Sequence, residues 1–97
     1  MNLFGEKIKY LRELHGLLQR DLAQKLGIDA PMLSKIENGE RKAKREQVAI
    51  LSKTFKITER KLIELWLADK VLEVVKGQPF AIQTLHLAEK KLNCNKE

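Results

Sequence analysis

An all-α fold is predicted by three features of the sequence. Apolar residues recur at spacings of three and four, strand-like alternation of β-branched residues is absent, and the only prolines, Pro31 and Pro79, sit where helices can open. Leu3 or Phe4, Ile8, Leu11 and Leu14 make one stripe of a first helix, which His15-Gly16 ends through glycine's tolerance of left-handed backbone. A second helix over residues 19–26 turns Leu22, Ala23 and Leu26 inward, and Gly27 closes it in the same way. Asp29 is suited to cap a third helix, because its carboxylate accepts from free amides of the first turn, where Pro31 is also tolerated. Leu33 and Ile36 face inward there, and Asn38-Gly39 stops the helix. After a charged loop at residues 40–45, Val48, Leu51 and Phe55 mark a fourth helix, and Lys56-Ile57-Thr58 reads as a turn with Thr58 as the next N-cap. Residues 59–76 are apolar on two sides, with Leu62, Leu65 and Leu72 in one stripe and Ile63, Leu67, Val71 and Val74 in another. A helix with two apolar faces needs two partners. Gly77 ends it, and Pro79 opens a last helix whose apolar face is Phe80, Ile82, Leu85, Ala88 and Leu92. Residues 93–97 read as a frayed tail.

Composition narrows the function classes. At 97 residues the chain supports one core plus an appendage, and 43% hydrophobic with 33% charged residues fits a soluble globular protein. Its apolar runs are too short to span a bilayer, so no membrane partner is expected. The first 14 residues lack a continuous apolar h-region and a small-residue cleavage site, which leads to the expectation of a cytoplasmic protein. Cys94 is the only cysteine, so an intrachain disulfide and a multi-cysteine zinc site are excluded. His15 and His86 are isolated from ligand-like spacings, the carboxylates are scattered and no glycine-rich phosphate loop appears. Neither catalysis nor a metal or other cofactor is expected.

The net charge of +6 is unevenly placed. Residues 1–63 carry 14 Lys and Arg against 8 Asp and Glu, a surplus of six, whereas residues 64–97 carry five of each. A basic surplus confined to one part of a small protein suits a polyanion, because neutralised phosphates release condensed counterions.

Two short helices joined by Gly27-Ile28-Asp29 have the lengths of a helix-turn-helix, a unit whose second helix enters the major groove. The residues sharpen this: GLLQRDLAQKLGIDAPMLSKIENG, at residues 16–39, resembles the Xre family of Cro-like and phage-repressor-like helix-turn-helix domains. The resemblance extends over about residues 3–63. It is carried by Leu11-Arg12, Gly16-Leu17, Gln19, Leu22-Ala23, Leu26-Gly27, Leu33-Ser34, Ile36-Glu37-Asn38-Gly39 and Arg41, in register without a gap. It implies a five-helix, repressor-like DNA-binding domain over residues 1–63; residues 64–97 lie beyond it and read as a helical hairpin extension.

With Leu33 and Ile36 inward, Ala30, Pro31, Met32, Ser34 and Lys35 should point outward and read bases. Lys35 suits a guanine O6/N7 contact or a phosphate, and Ala30, Pro31 and Met32 offer apolar surface to a thymine methyl. The helix is poor in amide and guanidinium readers, a departure from phage repressors with glutamine-rich recognition helices. Gln19, at the start of the second helix, can bond a phosphate or fix a neighbouring reader, as the family's glutamine does. Arg41, Lys42, Lys44 and Arg45 place four positive charges in five residues after the recognition helix, where a loop would face phosphates; Asn38 can add a neutral contact. Arg12 and Glu37 match positions that form a structural ion pair in the family. Leu18 stands where Ser, Thr or Asn commonly caps the second helix, so that cap is missing or supplied by water.

The uncharged extension offers surplus apolar surface, and homodimerisation through Leu65, Trp66, Leu67, Val71, Val74, Phe80 and Leu85 is its economical use. A two-fold dimer implies an inverted-repeat operator and, with no effector domain visible, a repressor that occludes a promoter. Alternatives are a hairpin folded back on its own domain, an antitoxin-type regulator holding a toxin through its C-terminal helices, and a helical protein-interaction module.

Overall fold

One apolar stripe from each of five helices meets in a single core, and the path of the chain follows from that requirement. The computed structural model describes residues 2–94. Its helices are α1 (Leu3–Leu14), α2 (Gln19–Leu26), α3 (Ala30–Glu37), α4 (Arg45–Phe55), α5 (Glu59–Val75) and α6 (Ala81–Cys94), and no strand occurs among the described residues. The core joins Phe4, Ile8 and Leu11 to Leu22, Ala23 and Leu26, to Leu33 and Ile36, to Val48, Leu51 and Phe55, and to Leu62. These are the inward positions that helical periodicity predicts. Leu3 and Leu14, at the two ends of the first stripe, remain exposed.

The beginning of α1 is fixed by four hydrogen bonds. The Asn2 side chain accepts from the Gly5 amide at 3.0 Å and donates to the Glu37 carbonyl at 2.6 Å, while Asp69 on α5 accepts from the amides of Leu3 and Phe4 at 2.8 and 2.9 Å. Gly5 itself lies inside a helix, where glycine is disfavoured. A Cβ there would stand 2.5 Å from the Ile36 carbonyl oxygen, so its absence lets α1 close on the end of α3.

Helix α5 passes residue 63 without a break, and its second half still holds the first domain through Trp66, Asp69 and Glu73. The helical path is interrupted only after Val75, where Gly77 adopts a left-handed φ of 80°. On the first of the two apolar faces of α5, Leu62 is fully buried and Leu65 packs against the core, as do Trp66 and, from the head of the second face, Ile63. Leu67, Val71 and Val74 are exposed. Thr58 occupies the N-cap position of α5 but makes no side-chain capping bond.

The second half of α5 folds on its own domain, whereas α6 buries none of its residues and leaves Phe80, Ile82, Ala88 and Leu92 exposed and Leu85 half-buried. Of the residues 93–97 expected to fray, Asn93 and Cys94 belong to α6, and 95–97 lie outside the described residues. No helix among the described residues is long and apolar enough to cross a membrane.

Candidate nucleic-acid interface

The angle between α2 and α3 is set by a three-residue turn. Gly27, at φ 72°, closes α2, and the Ile28 amide returns to the Ala23 carbonyl at 3.0 Å. Asp29 then opens α3 by accepting from the Met32 amide at 2.9 Å, with Pro31 in the first turn where its missing N–H costs nothing. The N-cap of α2, Leu18, makes no side-chain cap bond.

On α3 the inward residues Leu33 and Ile36 are buried, which turns Pro31 and Lys35 to solvent. Ala30 and Ser34 are half-buried at the edges of that outward face. Met32 is also half-buried and packs against the core, so its thioether bridges core and surface rather than projecting freely.

The end of α3 is locked by a buried polar network. Arg12 donates from Nε to Glu37 Oε2 at 2.7 Å and from Nη2 to Oε1 at 3.3 Å, and its Nη1 donates to the Leu17 carbonyl at 2.9 Å. The Gln19 amide donates to Glu37 Oε1 at 3.0 Å. The Glu37 side chain is 1% exposed and that of Arg12 11%. A charge so placed demands hydrogen-bonded partners, and every partner here belongs to a different element: α1, the α1–α2 turn and the start of α2. The network thus fixes the positions of the three helices that form the candidate surface. Gln19 directs one amide hydrogen inward to Glu37, which suits a positioning function.

The basic loop is held just as firmly. The amides of Glu40 and Arg41 donate to the Lys35 carbonyl at 2.9 and 3.3 Å, and the Lys44 amide donates to Gln47 Oε1 at 2.8 Å. Between these bonds Ala43, the one apolar residue of the run, is 5% exposed, and its carbonyl accepts from Trp66 Nε1 at 2.8 Å. Buried Ala43 divides the charges into two pairs, Arg41 with Lys42 and Lys44 with Arg45, all exposed. Lys42 forms an ion pair with Glu73 at 2.7 Å, its side chain 49% exposed and that of Glu73 56%. The hydrogen bond from Lys42, reinforced by its charge and that of Lys76, holds the Glu73 carboxyl below the usual carboxylate range. The pair therefore persists above the ordinary carboxyl titration and is lost as pH falls through the lowered value. At this exposure it directs the Lys42 ammonium more than it stabilises the fold. Arg41, Lys44 and Arg45 make no ion pair among the described residues, and the neutral Asn38 is exposed.

Of the seven residues expected to dimerise, Leu65 and Trp66 are engaged within the chain, Leu85 is half-buried, and Leu67, Val71, Val74 and Phe80 are exposed. Sequence reasoning missed Asn2, Gly5 and Asp69, and it missed the indole bond of Trp66. Asn2, directly ahead of the first apolar stripe, carries an N-cap signal that could have identified it. Asp69 is 65 or more residues from the amides it binds, and no local pattern announces such a contact. No group of three or more His, Cys, Asp or Glu among the described residues is placed to hold a metal ion.

Residues 8–62 match a protein-family model described as helix-turn-helix. No curated protein matches the chain.

Proposed function

Because the chain belongs to the helix-turn-helix family typical of Xre- and Cro-like regulators, we propose that it is a sequence-specific transcriptional repressor that binds double-stranded DNA as a homodimer. The carrying observation is the outward face of α3, with Lys35 and Pro31 exposed above buried Leu33 and Ile36 and flanked by a braced basic loop. Seating α3 in the major groove brings Ala30, Pro31, Ser34 and Lys35 to base edges, with Met32 adding apolar contact at the rim. Arg41, Lys44 and Arg45, with Asn38, then meet phosphates, which set the register but carry no sequence information.

Dimerisation is supported by the two apolar helix surfaces left uncovered, Leu67, Val71 and Val74 on α5 and Phe80, Ile82 and Leu92 about α6. A two-fold axis would set the two recognition helices about 34 Å apart, one turn of DNA, and the operator would be an inverted repeat. Occupying such a site blocks a promoter without any further domain.

Two substitutions test the division of labour. Lys35→Ala is expected to weaken binding by about 1–3 kcal/mol and relax the preference at one operator position, whereas Arg41→Ala weakens binding to all duplexes alike. Titrating both variants against an operator and its single-base variants measures this. Identical behaviour of the two would refute the assignment.

A further inference from the structure

From the ties between α5 and the loop at residues 40–44, we infer that the stretch of α5 from Trp66 to Glu73 is a brace for the DNA-backbone loop, with Trp66 as its positioning residue. The inference rests on the DNA-binding function proposed above. The loop has local bonds at its two ends, Arg41 to the Lys35 carbonyl and Lys44 to Gln47, both within the elements it joins. Its middle is held from elsewhere. Trp66 Nε1 donates to the Ala43 carbonyl, one residue earlier the Lys42 ammonium meets Glu73, and both partners lie on α5. The indole is itself fixed, since it packs against the core and carries the Lys70 ammonium 3.5 Å from the ring centre, with the Arg45 guanidinium at 5.9 Å.

Arg41 and Lys44 flank the braced segment, so the spacing of their charges depends on where Ala43 is pinned. Without the indole bond the loop would have to be ordered during DNA binding instead of during folding, and the lost entropy would weaken every phosphate contact it makes. The bond also links the extension to the DNA surface: α5 is at once the brace and the base of α6.

Trp66→Phe keeps an aromatic ring and removes the N–H donor. Affinity for two duplexes of unrelated sequence, measured on protein verified as folded by circular dichroism, is expected to fall about two- to tenfold for both, the effect of one net hydrogen bond. The dependence of affinity on salt becomes shallower, because a loosened loop neutralises fewer phosphates. In the free protein, amides at residues 41–44 exchange faster with solvent while those of Leu22, Leu33 and Leu51 keep their protection. A merely structural loss would instead raise exchange across the core and leave the salt slope unchanged. Wild-type binding with unaltered affinity, salt slope and loop exchange in Trp66→Phe would overturn the brace alone. Absence of wild-type binding to any duplex would overturn the DNA-binding function and the brace with it.

Discussion

Arg12→Met is expected to destabilise the fold by about 3–5 kcal/mol, measured as the loss of unfolding free energy in a denaturant titration. The Glu37 carboxylate is almost fully enclosed, and three of its contacts come from side-chain donors, two on Arg12 and one on Gln19. Removing the guanidinium leaves a buried negative charge with only the Gln19 amide from that set. Typical stabilities for a domain of this size are about 5–15 kcal/mol, so the loss would unfold a substantial fraction of a marginal chain. Replacing both partners, as in Arg12→Met with Glu37→Met, removes the uncompensated charge, and the double variant is expected to be more stable than Arg12→Met alone. A loss below about 1 kcal/mol in the single variant would mean that the network is not the lock on α3 described here.

The second large effect is on DNA affinity. Arg41, Lys44 and Arg45 are exposed and outside the ion pairs of the structure, whereas Lys42 is held by Glu73. The proposed dimer would present six loop cations outside the ion pairs, three from each chain. With a slope of about 0.9 per phosphate contact, affinity should fall by roughly a thousandfold between about 50 and about 200 mM salt. Fluorescence anisotropy of a labelled duplex across that range measures the slope. A nearly flat dependence would remove phosphate contact from the mechanism and leave the basic run a solvated loop.

Much of the fold was legible because the signals are local. The spacing of Leu22, Ala23 and Leu26, the Asp29 cap and the left-handed Gly27 each declare their part of the helix-turn-helix within a few residues, and the structure places them so. The ion pair of Arg12 with Glu37, 25 residues apart, has no local signature and was accessible only through the family resemblance. Trp66 shows the opposite limit. Its place on a two-faced helix marked it as apolar surface, but whether that surface meets another copy or its own loop depends on the position of Ala43, 23 residues earlier. Gly5 and Asp69 act through contacts with elements far along the chain, so neither periodicity nor spacing exposes them. For α6 the apolar stripe was readable, but no local pattern tells whether it packs on its own domain, and none of its residues is buried there.

If α3 reads the major groove and the chain acts as a two-fold dimer, selection of binding sites from a pool of random duplexes is the most direct measurement of both. The expected result is enrichment of an inverted repeat whose half-site centres lie about one helical turn apart, with each half-site contacted from the major groove. A pool that enriches no sequence, or only a single unrepeated half-site, would contradict the account.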